Sequence, residues 1–291
     1  MFEQVTRILF PVIALVIVGY LIGRRLKPDF RPINRINMEA FVPALVFSSL
    51  STMPLSMNEL PLIYASLVSV LVPGLLMIPI CNIGGWNFKA WAPLHMFRNS
   101  GNLAIPLFTY TFGEAALSSA VLLFVVSACL HISIGLSVLS KGSSLKQILT
   151  APVFIAAAVA MTLNLSGTEV WQPLYEATKL LGQAAVPVML LALGSQMTNM
   201  QLSGLKVGLL STAQSLTTGA CAFAIIYYFI PLPPMQLKMM VLFTMLPPAV
   251  MNYLFAERYN IEATNVASMV LFGNFLSIFT LPLLLIFAFS L

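Results

Sequence analysis

Arg98-Asn99-Ser100-Gly101-Asn102-Leu103-Ala104-Ile105-Pro106 sets a guanidinium, two amides, a hydroxyl, a glycine and a proline inside a stretch otherwise apolar enough to cross a bilayer. No lipid-facing helix carries such a run. In hydrocarbon every backbone N–H and C=O has to be paired internally, so helix breakers persist only where they line a cavity or are covered by protein. Gly101 reaches backbone angles other residues avoid, and Pro106 lacks a donor and disfavours helix at Ile105. The spacing predicts unwinding over 99–106. A helix broken there turns the positive N-terminus of a half-helix toward the midplane, where an anion can sit among N–H groups. The competing reading is a kinked helix whose asparagines are tied to neighbours.

A second interruption is Leu246-Pro247-Pro248-Ala249-Val250-Met251-Asn252. Two adjacent prolines do not fit a continuous helix, and Asn252 follows about one turn along the next piece. If the two breaks cross, Asn102 and Asn252 face one cavity from opposite sides; a plain proline kink is the alternative.

Other polar residues stand near these breaks. Arg98 has three roles open to it: attracting a carboxylate, pairing with Glu257, or snorkelling to the interface. Glu257 is the carboxylate nearest a broken stretch, either a proton site or half of an interfacial pair with Arg258. His131 is costly to bury unless paired, and both a structural hydrogen bond and proton coupling fit it. Asn274 and Gln196 either complete the polar cluster or hydrogen-bond between helices, at about 1–2 kcal/mol or less. Neither a nucleophile with its base, nor an HExxH pair, nor a Cys/His cluster occurs, which argues against an enzyme, a metal site or a cofactor. Cys81, Cys129 and Cys221 lie far apart beside apolar runs and read as small core residues. The lone aspartate, Asp29, lies in a charged loop, so there is no core Asp pair to exchange Na⁺ for H⁺.

The elements that must position these groups follow from composition. With 59% hydrophobic residues, 8% charged residues and a mean hydropathy of +0.94 over 291 residues, this is an all-α polytopic membrane protein; water-soluble domains carry about 25% charge. A net charge of +5 raises nucleic acid as a partner, but the basic residues fall between apolar runs, as membrane loops do, and the partner they fit is the lipid bilayer. Ten spans are expected, at 6–23, 36–52, 61–81, 91–110, 115–139, 147–165, 172–195, 205–229, 236–256 and 265–289. The first, followed by Arg24, Arg25 and Lys27 rather than a small-residue cleavage site, reads as a retained span. Turn residues mark the connections at Lys27-Pro28, Asn82-Ile83-Gly84-Gly85, Lys141-Gly142 and Leu232-Pro233-Pro234, which leave no room for a soluble domain.

Orientation follows from Lys and Arg. Arg24, Arg25, Lys27, Arg31, Arg35, Lys89, Arg98, Lys141, Lys146, Lys206 and Arg258 fall on one side and Arg7, Lys179 and Lys238 on the other, eleven against three. Both termini are thereby predicted on the non-cytoplasmic side. Ten spans divide into 1–145 and 146–291, and five spans per half invert the second half. Direct similarity is slight, Val42-Pro43 and Ser51 matching Val186-Pro187 and Ser195, but interruptions fall mid-span in both the fourth and ninth spans, the best sequence pointer to a transporter's binding site.

The run from Arg98 to Pro106 resembles the fourth-helix Asn-x-Gly-Asn-x-x-x-Pro pattern of the auxin efflux carrier family in its bacterial permease branch. Leu246 to Tyr259 is similar to the family's ninth-helix signature, and Ala185-Val186-Pro187 through Gly194-Ser195-Gln196 to its seventh. Gly19-Tyr20-Leu21 and Val42-Pro43-Ala44-Leu45-Val46-Phe47 also fit, so the likeness covers nearly the whole chain. Ala104 departs from the glycine frequent at that place. The resemblance implies the fold shared with bile-acid symporters: inverted five-helix repeats with broken, crossing helices four and nine. It also implies a scaffold of spans 1, 2, 6 and 7, a transport domain of spans 3–5 and 8–10, and pairing as a homodimer. The function implied is an inner-membrane permease for a small organic anion, held by Asn99, Ser100, Gly101, Asn102, Pro106, Pro247, Pro248 and Asn252. The coupling ion, H⁺ or Na⁺, stays open. Alternatives are a sodium-coupled symporter of the bile-acid type and a non-transporting organic-acid receptor, for which an output domain would be expected.

Overall fold

Where water cannot satisfy the backbone, apolar runs fold as helix. The computed structural model describes residues 2–53, 59–139, 149–199 and 202–291, with helices and no strand among them. Six stretches are individually long and apolar enough to cross a membrane: Val5–Leu26, Leu60–Gly84, Glu114–Leu139, Gln172–Gln196, Leu205–Phe229 and Ala263–Ser290. The other four expected spans fall on shorter pieces.

In chain order the helices are α1 (Phe2–Leu26), α2 (Arg31–Ile36), α3 (Val42–Ser51), α4 (Leu60–Gly84), α5 (Phe88–Met96), α6 (Ile105–Phe112), α7 (Leu117–Leu130) and α8 (Leu136–Leu139). There follow α9 (Pro152–Leu165), α10 (Gln172–Gln183), α11 (Ala185–Gln196), α12 (Leu205–Phe229), α13 (Pro234–Thr244), α14 (Met251–Arg258) and α15 (Ala263–Ser290). Three π-helical turns, Asn37–Phe41, Ser100–Ala104 and His131–Gly135, join α2 to α3, lead into α6, and join α7 to α8. Gly85 caps α4 in the left-handed region (φ 66°), and Pro234 starts α13, so both of those expected turns form. The expected turn at Lys141-Gly142, with Lys146 and the 145/146 boundary, lies outside the described residues.

Packing sorts the helices into two neighbourhoods. α1 lies along α11, and α3 lies against α9 and α10. A methyl group added at Gly19 would overlap the Leu191 main chain, and one at Gly194 the Val16 main chain, so α1 and α11 touch backbone to backbone. Gly182 on α10 abuts Leu45 in the same way. The open end of α3 is closed from α9, where the Asn164 amide donates to the Leu50 and Met53 carbonyls, each at 2.7 Å. The second neighbourhood has α4, α7, α12 and α15 around the short helices α5, α13 and α14. Here Gly208 on α12 makes room for Phe272 of α15, and Gly219 for the Thr244 carbonyl ending α13.

The candidate anion site at two crossed breaks

α5 stops at Met96 because Phe97 is extended (φ −106°, ψ 102°), and Asn99 departs from helix at ψ 60°. α13 stops at Thr244, and the chain is non-helical until Met251. The two irregular pieces pair antiparallel. The Asn99 N–H donates to the Pro247 carbonyl at 2.8 Å, and the Ala249 N–H to the Phe97 carbonyl at 3.0 Å, on either side of Arg98 and Pro248. In that register Arg98 and Pro248 are a pair that exchanges no main-chain hydrogen bonds, and Pro247 supplies only its carbonyl. The double proline therefore lacks donors where none is used.

The first break differs in place from its expectation. Unwinding occupies 97–99 rather than 99–106, because Ser100–Ala104 stays helical as a π turn in which the Asn99 carbonyl accepts from Leu103 (3.3 Å) and Ala104 (3.1 Å). Pro106 sits in the first turn of α6, where its missing N–H is harmless. Gly101 is not in the left-handed region; a Cβ there would come within 3.1 Å of the Phe124 ring.

The amides bind the crossing together. The Asn99 amide donates to Asn274 Oδ1 at 2.8 Å, and Asn274 Nδ2 donates to the carbonyls of Pro248 (3.1 Å) and Val270 (2.8 Å). Asn252 Nδ2 donates to the Phe97 carbonyl at 3.0 Å, and the Asn252 side chain also reaches the His131 ring. Asn102 is half-buried, and Ser100 is buried beside it. Two crevices adjoin the crossing, and neither Asn102 nor Asn252 is on the wall of either. A crevice of about 230 Å³ is walled by Ser215, Leu246, Pro247, Pro248, Gly273 and Ser277. A second, of about 450 Å³, opens between α1, α11 and α15, with Val12, Val16, Leu103, Leu193, Asn274 and Ser277 on its wall.

Arg98 is 2% exposed, inside the crossing rather than in a loop, so it leaves the basic set that orients the chain. It does not meet Glu257, which is exposed and accepts from the Tyr253 hydroxyl at 2.9 Å. Instead Arg98 Nη1 donates to Ser215 Oγ and to the Leu246 carbonyl (3.3 Å), and Nη2 donates to the Ser215 carbonyl (3.2 Å). Its Nε is buried without a partner, and no carboxylate pairs with it among the described residues. A buried cation without a counter-ion is costly.

His131, on the π turn after α7, is buried. Its ring stacks on Phe97 (centroids 4.1 Å apart, planes 8° apart) and meets Phe255 edge-on at 5.1 Å. It thus touches both broken spans. Gln196, at the end of α11, holds a buried, unpartnered Oε1 away from the hydrogen bonds of the crossing.

Two groups escape the sequence reading. Ser215 could have been found from α12, where Gly208, Ser211, Ser215, Thr218, Gly219 and Ala222 recur every three to four residues as one buried small and polar stripe. His95 is fully buried at the end of α5, its Nδ1 2.8 Å from the Trp91 carbonyl.

A family model described as membrane transport protein matches residues 136–285, just over half of the chain, from α8 through the double proline and Asn274. That family includes the auxin efflux carriers. No curated protein matches the chain.

Proposed function

We propose that this chain, which belongs to the membrane transport protein family, carries a small organic anion across the membrane by alternating access, with the site at the crossing. The observation that carries the anion reading is Arg98, a buried guanidinium with no carboxylate partner and an open Nε edge. Guanidinium and carboxylate match as two parallel N–H···O bonds, so a carboxylate that displaces Ser215 gains a bidentate, charge-assisted pair. The 230 Å³ crevice bordered by Ser215 and Leu246 lies against the groups that hold Arg98. Asn102, half-buried, and the Asn252 side chain are the amides assigned to orient the rest of the ligand, with Ser100, Gly101 and the half-helix N-termini behind them. Asn99, Asn274, Pro247 and Pro248 hold the crossing itself.

The architecture in this proposal is ten spans in two inverted halves, 1–145 and 146–291. Two facts support it: breaks at corresponding places in the two halves, and their antiparallel meeting. α1, α3, α9, α10 and α11 form the scaffold, and the group around the crossing is the moving part. The 450 Å³ crevice lies where α1 and α11 face Leu103 and Asn274, along the plane where the two would slide. Residence in the inner membrane, both termini outside the cytoplasm and dimerisation through the scaffold belong to the same proposal.

Counter-flow of radiolabelled malonate, succinate and indole acetate into proteoliposomes tests it. At least one should accumulate with the wild-type chain, and Arg98→Gln should lower that by about tenfold or more. Accumulation of none, or equal accumulation by Arg98→Gln, sinks the reading.

A further inference from the structure

We infer that the site is built for a hydroxy acid: the carboxylate takes Arg98, and a neutral hydroxyl farther along the ligand donates to Thr212 on α12 and Ser277 on α15. The inference deepens the anion reading above and rests on it. The 230 Å³ crevice lies between those two helices, against the double proline. α12 brings Thr212 and Ser215 to it, three residues apart and so on one face, and α15 brings Ser277 and Thr280 at the same spacing. Gly273, one turn before Ser277, lets Pro248 lie against α15, since a Cβ there would stand 2.7 Å from Pro248 Cδ. Ser215 and Ser277 are buried, and Thr212 is half-buried.

Where these hydroxyls send their hydrogens decides what they can bind. A hydroxyl has one hydrogen to give and two lone pairs with which to receive. Thr212 Oγ1 donates to the Gly208 carbonyl at 2.8 Å, and Ser277 Oγ to the Asn274 carbonyl at 2.6 Å. Each has spent its hydrogen on its own helix and faces the crevice wall as an acceptor. Hydroxyls back-bonded in this way are ordinary in membrane helices; here they confront each other across a gap, beside a buried guanidinium. Among the described residues no hydrogen bond joins the hydroxyls of α12 to those of α15, and Ser215 meets Arg98 instead. The two prolines have no N–H to offer, and their carbonyls already accept from the Asn99 N–H and the Asn274 amide. The crevice thus has a charged donor at the Arg98 end and acceptors one turn along α12. A plain carboxylate answers only the first; a carboxylate with a hydroxyl beyond it answers both. An ammonium would donate too, but neither α12 nor α15 carries an acidic residue, and Arg98 is already a cation. A second positive charge with no acid beside it is costly to bury, which selects the neutral donor.

The test is calorimetric binding to the full chain in lipid nanodiscs. Propionate, lactate and alanine share one carbon skeleton and differ at one position, which carries hydrogen, hydroxyl or ammonium; malonate and hydroxymalonate repeat the first comparison on a diacid. Lactate should bind about tenfold tighter than propionate and hydroxymalonate about tenfold tighter than malonate, the worth of one well-placed hydrogen bond. Alanine should bind no tighter than propionate. Thr212→Val and Ser277→Ala, singly or together, should pull each ratio toward one. Misfolding would weaken both members of a pair alike and leave the ratio in place, and if neither variant folds, the wild-type pairs decide. Equal binding within the pairs, or a preference for the parent acids, overturns the hydroxyl inference and leaves the anion reading standing. Alanine as the tightest ligand, ratios unchanged in the folded double variant, or binding confined to succinate or indole acetate do the same. Failure of every anion to bind overturns the anion reading, and this inference with it.

Discussion

Along α1 and α11, Gly19 and Gly194 let two unbroken helices meet main chain to main chain; at the crossing, two helices meet main chain to main chain by breaking. The seam leaves both helices intact where they touch, so contact asks only for missing side chains. The crossing gives up helical bonds and must replace them, which brings in Asn274, Asn252 and Arg98. Close approach by glycine yields a fixed joint. Close approach by breaking yields polar groups, and with them a place where a ligand can compete.

The largest expected effect falls on the seam. Gly194→Val drives a side chain into the Val16 main chain, and we expect a loss of about 3 kcal/mol or more in thermal unfolding in detergent. Gly101→Ala meets only a ring edge at 3.1 Å and should stay within about 1 kcal/mol. Equal losses would erase the distinction between a rigid seam and an adjustable crossing. Next comes Asn274→Ala, which strands the Asn99 amide and the Pro248 carbonyl; it should lower stability by about 1–2 kcal/mol. Arg98→Met should leave stability within about 1 kcal/mol of wild type, because removing an uncompensated buried charge offsets the lost hydrogen bonds, while anion flux disappears. A strongly destabilised Arg98→Met would make the arginine a structural pin like the seam glycines.

The smallest effect lies outside both regions. Burial raises the Glu59 carboxyl above its ordinary value, against the opposing hydrogen bond from Gln236 at 3.2 Å. The native state then holds the proton more tightly than the unfolded chain, so this contribution to stability is full in acid and is lost as pH rises through the raised value. Glu59→Gln should be slightly more stable than wild type at neutral pH, with the difference vanishing in acid. A difference that grows in acid would contradict the burial.

Where the chain breaks was largely legible, because Pro247-Pro248 and the Asn-Gly-Asn run are written in residues whose backbone limits are local. How it breaks was not. Gly101 and Pro106 look like the cause of an unwound segment, yet a π turn absorbs both, and the extended residue is Phe97, whose conformation is set by pairing with Ala249, more than 150 residues away. The same distance hides Ser215 as the partner of Arg98, since which stripe of α12 faces α5 is decided by packing. Glu257 looked like the nearest partner because it shares a span with the double proline; in three dimensions α14 carries it out to the surface.

The two-bond ladder also supplies a clock for motion. The amide protons of Asn99 and Ala249 have no helical acceptor, so their protection from hydrogen exchange comes wholly from the Pro247 and Phe97 carbonyls across the crossing. Were the half-helices to move as one block during a cycle, these two protons would exchange as slowly as those of helix interiors. Uncrossing would release both together, at the rate of a loop.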